Sequence, residues 1–232
     1  EAILALEPGR LSAILGLGSV ATRAGDARAL AKALAAQAEV TIDLPTRAAL
    51  RLQSAEALAP VDHERALALA EELRSDSNIR ERADQVVTRL HIIAERWEPA
   101  ARVLADRAAR SGDRQQKIGF VLAEATILLG RLRAPARALD ALARLPKDAV
   151  DDPGVRAATI EALEQLGDDN RLREELLAMA ERATVPHARA RLYLRAAELE
   201  ELRRADDAAV RAYEAAHAAM PVAFAAFFTA VV

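Results

Sequence analysis

Four histidines, His63, His91, His187 and His217, are the first side chains to weigh for chemistry, and they lie far apart in the chain. None stands four residues from another, as two metal-binding histidines on one helix face would. Surface or helix-packing roles are expected for all four. Adjacent carboxylates occur at Glu71-Glu72, Asp151-Asp152 and Asp168-Asp169. A general acid and base must oppose each other across a cleft, whereas these pairs fit turns and helix caps. Gly16-Leu17-Gly18 lies among helix formers rather than after a strand, so it does not make a phosphate loop. Trp97, beside a turn signal, reads as a packing anchor rather than a ligand platform. The chain has no cysteine, hence no disulfide framework, zinc–thiolate site or thiol nucleophile. No catalytic residue, no metal and no cofactor is therefore expected.

The elements that carry these residues follow from composition. Of 232 residues, 57 are alanine and 32 leucine, and only 3% are aromatic. Alanine and leucine are strong helix formers, while the residues that favour sheets are scarce. The charged fraction of 29% excludes a bundle of membrane spans, and the 52% hydrophobic fraction excludes a disordered chain. Net charge is −3 and neither half is basic, so phosphate-driven nucleic-acid binding has no source. Arginine outnumbers lysine 29 to 3, which suits a GC-rich bacterial genome. Absence of cysteine fits the bacterial cytoplasm and the periplasm alike.

A turn signal recurs along the chain: a small or polar residue, charged residues, then a small apolar residue opening a helix. Its instances end at Leu30, Ala66, Ala100, Ala136, Leu172 and Ala209, at spacings between 34 and 37 residues. Constant spacing of that length marks a repeat architecture, each repeat one supersecondary unit. The pattern predicts two helices per repeat. Asp26, Asp62 and Asp206 are expected to cap second helices, Asp152 a first helix, and Gly112 to stop a helix in the left-handed conformation. The fold expected is all-α: a single continuous domain over 1–232, with repeats at roughly 11–44, 45–78, 79–112, 113–150, 151–185 and 186–221. Partial repeats at 1–8 and 222–232 read as a segment cut from a longer chain.

At this point the sequence resembles the tetratricopeptide repeat family. Leu17-Gly18-Ser19-Val20-Ala21-Thr22-Arg23-Ala24-Gly25-Asp26 is similar to the family's Leu-Gly pair, small residue and Gly-Asp turn. Ala209, Tyr213, Ala216 and Pro221 match its alanine, aromatic, alanine and closing proline. Ser54 and Ala123 keep a small residue where Gly18 stands, but the stretch from Pro153 to Gly167 does not. The resemblance implies a right-handed superhelical solenoid of antiparallel helix pairs, with Gly18 and the alanines letting helices approach closely.

The resemblance also implies a concave groove lined by the first helices. Carried over residue by residue, its positions are Ser12, Leu15, Ser19 and Arg23, then Arg51, Ala55 and Leu58, then Arg82, Gln85, Arg89 and Ile92. Lys117, Phe120, Glu124 and Ile127 follow, then Glu161, Glu164 and Gln165, and finally Arg191, Leu194, Glu198 and Glu201. The groove is expected to be basic from Arg51 to Lys117 and acidic from Glu161 to Glu201. Leu15 and Ser19 stand where chaperone-clamping repeats carry Lys and Asn, so capture of a chaperone C-terminus is not expected. The expected function is a non-catalytic scaffold in a larger bacterial protein, binding partner peptides or helices. Two alternatives stand beside it. One is a structural spacer or self-assembling element of an envelope or secretion complex, associating through the apolar end Val222 to Val232. The other is a sensor segment of a larger enzyme or signalling protein. Membrane contact is not expected within this segment.

Overall fold

The computed structural model describes residues 10–220, and among them the chain is helical with no strand. The helices come in consecutive pairs. α1 (Leu11–Ala24) and α2 (Ala27–Val40) are followed by α3 (Leu44–Leu58) and α4 (His63–Leu73), then by α5 (Arg80–Ile93) and α6 (Trp97–Arg110). Next come α7 (Arg114–Gly130) and α8 (Pro135–Leu142), with a 3-10 turn at Lys147–Asp151 after them. α9 (Pro153–Leu166) pairs with α10 (Asp169–Arg182), and α11 (Pro186–Leu202) with α12 (Asp206–Ala219). The chain forms two compact units that divide between Phe120 and Val121, inside α7.

In unit 1 each helix from α1 to α6 packs on the next, and in unit 2 the same holds from α8 to α12. Short turns make successive helices antiparallel. The core of unit 1 is built largely from alanine: Ala55, Ala66, Ala70 and Ala83 are wholly enclosed, with Leu52 and Leu90 filling the spaces between. A smaller cluster around Leu163, Leu172 and Leu176 serves unit 2. Ser54, buried between α3 and α2, donates its hydroxyl to the Ala31 carbonyl at 2.9 Å, so the polar group costs little there. Gly18 differs from expectation. A Cβ at that position would sit 3.6 Å from the Ala33 Cβ, an ordinary contact, so the close approach does not depend on glycine.

Four of the turns inside the pairs repeat in backbone detail. Gly25, Glu95, Gly167 and Arg204 each hold the left-handed conformation. The amide that follows each of them donates to a carbonyl five residues back: Asp26 to Ala21, Arg96 to His91, Asp168 to Leu163 and Ala205 to Glu200. This is the bonding of a helix stop that satisfies carbonyls left open by the last turn. Arg133, also left-handed, ends α7 in a longer version, with Ala134 donating to Leu128.

Several first turns are closed by aspartate. Asp26, Asp43, Asp62, Asp152 and Asp168 each accept backbone amides at the start of a helix. Asp206 does not: α12 is capped at Ala205, and Asp206 is its first helical residue, where its charge faces the positive end of the helix dipole. Gly112 is not left-handed either, because α6 ends in an extended Ser111.

Candidate partner-binding clefts

The residues expected in the basic middle of a groove divide into two places in unit 1. Arg82, Gln85 and Arg89 lie exposed on α5 and line a shallow cleft of ≈ 210 Å³ with Leu52, Glu56 and Val86, between the first helices α3 and α5. Arg89 crosses that cleft to Glu56 at 3.0 Å. Arg51 is not with them. It faces α4, pairs with Glu72 at 2.9 Å and lines a separate cleft between the second helices α2 and α4. Ala55 and Ile127 are buried in the core, and Leu58, mostly buried, borders only that second cleft rather than the one lined by Arg82, Gln85 and Arg89. Positions carried over from the family do not record which way α3 is turned, since one residue turns a helix by a quarter to a third of a revolution.

Phe120 is half-buried beneath a guanidinium: Arg107 lies 4.1 Å from its ring centroid and also bonds Glu81 at 2.5 Å. Its face is thus occupied from within the chain. Lys117, half-buried one turn away, makes no ion pair among the described residues. Glu124 is buried and meets Arg144, in the turn after α8. Burial holds its carboxyl above the ordinary range, against the opposing pull of Arg144 and Arg137.

In unit 2 the residues expected to be acidic share their surroundings with arginines. Glu161 is exposed and accepts from Gln165 at 3.2 Å on its own helix. Glu198 bonds Arg195 at 3.1 Å, and Arg195 reaches Glu164 on α9 at 3.3 Å. Glu201 accepts the Tyr213 hydroxyl at 2.9 Å. Between the first helices α9 and α11, floored by α10, lies a cleft of ≈ 580 Å³. Ile160, Leu176, Met179 and Leu194 give it an apolar floor and wall, and Arg156, Arg191, Arg195 and Glu198 stand around it. Arg195 is neutralised by its two glutamates. Arg156 and Arg191 make no ion pair among the described residues, so this cleft carries net positive charge. Arg156 was not anticipated from the sequence, although it precedes Ile160 by one helical turn. Arg195 follows Arg191 by the same interval.

The most strongly charged interior group was also missed. Asp84, on α5, is 0% exposed. Arg74, which ends α4, donates to it through Nε at 2.6 Å, and Arg110 of α6 bonds its other oxygen. The same Arg74 reaches Glu71 at 2.8 Å and Asp106 at 3.4 Å, so one guanidinium joins carboxylates from three helices. Beside this network His91 is buried with Nε2 3.5 Å from Glu71. Burial lowers the imidazole below its ordinary value of 6.5, Arg96 and Arg74 add to the effect, and Glu71 opposes it. A carboxylate between Ala83 and Val86-Val87, on the apolar stripe of α5, was the signal available in the sequence.

The other histidines stand on other helices: His63 opens α4, His187 is exposed at the start of α11, and His217 is exposed on α12. Among the described residues no group of three or more His, Asp or Glu side chains is placed to hold a metal ion. No described helix is long and apolar enough to cross a membrane. The apolar stretch Val222 to Val232, on which self-association was expected, lies outside the described residues.

No family model matches the sequence, and no curated protein matches it. Among solved structures the chain is similar to YrrB, described as a TPR protein with an unusual peptide-binding site. The two share 18% identity at a TM-score of 0.46, over 80% of this chain and 92% of that one.

Proposed function

We propose that this chain is a tetratricopeptide-type scaffold of a larger bacterial protein, non-catalytic, which holds a peptide or helix of a partner protein on its first-helix side. The observation that carries the reading is the cleft between α9 and α11. It combines an apolar floor with Arg156 and Arg191, two guanidiniums that no carboxylate of the described chain neutralises. Such a cleft suits a partner segment that inserts aliphatic side chains and presents a carboxylate at the rim. Area supplies affinity there, and charge supplies orientation and on-rate.

Panning a displayed random-peptide library on the purified chain tests this. Enriched peptides, measured by fluorescence anisotropy, are expected to lose about tenfold or more in affinity for the R156E/R191E variant. Both residues lie at a cleft surface, and circular dichroism checks that the variant keeps its helices. Enriched peptides that bind the variant as they bind the parent, or a library that yields none, would overturn the reading.

A further inference from the structure

The second-helix side of unit 1 holds a cleft of another kind. α2, α3 and α4 enclose ≈ 290 Å³, with Ala31, Leu58 and Leu69 as an apolar floor. Four cations line it: Arg28 and Lys32 on α2, Arg51 on α3, and Arg65 on α4. Their charges are not equally available. Arg51 is matched by Glu72 at 2.9 Å. Arg28, Lys32 and Arg65 are exposed and make no ion pair among the described residues. Of the two carboxylates in the lining, Asp62 is turned to the start of its own helix, accepting the Arg65 amide at 3.2 Å. Glu39 lies two turns along α2 from Lys32, toward the other end of the cleft. Arg28 and Lys32 stand four residues apart on one helix, a spacing at which like charges repel.

We propose that this cleft is a second docking site, distinct from the first-helix side, and that its occupant is an acidic peptide segment carrying an aliphatic side chain. Charge complementarity selects the occupant. The four cations of the lining outnumber its two carboxylates, and three of them have no ion-pair partner among the described residues, so the opening favours added carboxylates, and binding relieves the repulsion between Arg28 and Lys32. The volume accommodates a side chain or two rather than a whole small molecule, which leaves the backbone of the segment to run over the cationic rim. No aromatic ring lines the cleft, so it lacks the stacking platform by which proteins hold single-stranded nucleic acid. The chain would then meet one partner through its first helices and another, more acidic one, through the second helices of unit 1.

The probe is a fluorescein-labelled peptide of interspersed Glu and Leu, with the same peptide carrying Gln for Glu as its control, followed by anisotropy at low and at high salt. The Glu/Leu peptide is expected to bind in a salt-dependent way and the Gln peptide not to bind. The R28E/K32E variant should weaken binding about tenfold or more. R156E/R191E should leave it within about twofold, because the two clefts share no residue and no helix. That separation keeps failure of this site distinct from failure of the first-helix cleft. Since Arg28 and Lys32 are exposed, the double variant should keep its helical signal, and R65E provides a second variant on another helix. The proposal falls if the Glu/Leu peptide does not bind, if the Gln peptide binds equally, or if R28E/K32E and R65E both bind like the parent. Displacement of the peptide by a single-stranded oligonucleotide at lower concentration than by unlabelled peptide would overturn it in favour of a nucleic-acid ligand. Displacement by an equal charge of inorganic phosphate would reduce it to an anion site.

Discussion

The single side chain with the largest expected effect on stability is Asp84. Its two oxygens are each engaged by an arginine, and none of its surface reaches water. Removing one partner of a buried ion pair leaves the others charged and uncompensated, at a cost of about 3–5 kcal/mol. Asp84→Ala is expected to lose that much in urea denaturation, and Asp84→Asn, which keeps the shape and one acceptor, distinctly less. His91 belongs to the same neighbourhood and gives it a pH dependence. Its folded pKa lies below the ordinary 6.5, so the unfolded chain binds the proton more readily. The contribution of His91 is therefore present above about pH 6.5 and is lost as pH falls below that value. Urea midpoints measured on both sides of it should show a steeper acid loss in the parent than in His91→Gln. Equal slopes would place the acid sensitivity elsewhere.

At the scale of the helix and its turn, the pairs are alike in backbone and unlike in sequence. Whereas α3 ends at Ala59 in the right-handed conformation, four of the turns after a first helix share one left-handed position. Gly25 and Gly167 supply it at no steric cost, while Glu95 and Arg204 hold the same conformation with a Cβ. Glu95→Gly and Arg204→Gly are each expected to raise stability, by up to about 1 kcal/mol, read as an increase in melting temperature. Gly25→Ala should lower it by a similar amount. This difference explains how much was legible beforehand. Asp26, Asp62 and Asp152 announced their helices because a cap requires a side-chain oxygen at one position. Glu95, Arg133 and Arg204 fall in the recurring turn signal, but their side chains do not announce the left-handed conformation they hold. The candidate site was legible to the same degree. Arg82, Gln85 and Arg89, expected from the family resemblance, lie exposed on α5. The rotation that turns Arg51 toward α4, and the approach of Arg156 and Arg191 across a gap between helices, depend on how elements meet in space. No spacing along one helix records that.

For the molecule as a whole, stability is built from neighbour to neighbour. Within each unit the packed helices are consecutive in the chain, so a defect is felt first by the helices beside it. Leu52 is 1% exposed in the core of unit 1. Leu52→Ala should cost about 2–5 kcal/mol locally. Hydrogen exchange should quicken in α2 to α5 while the amides of α9 to α12 keep most of their protection. A uniform loss of protection across the chain would instead mean that the array unfolds as one.

Alanine-lined contacts have a weakness: they are smooth, and one helix can slide along another with little penalty to area or shape. Asp84 removes that freedom. Moving α6 by one turn against α5, about 5.4 Å, would carry Arg110 away and leave a buried carboxylate with half its partners. The charge thus selects a single alignment among several that the small side chains would tolerate. A variant that replaces Asp84, Arg74 and Arg110 together with matched apolar residues would test the point by its spectrum rather than its melting temperature. It should fold, and it should show duplicate resonances for α5 and α6.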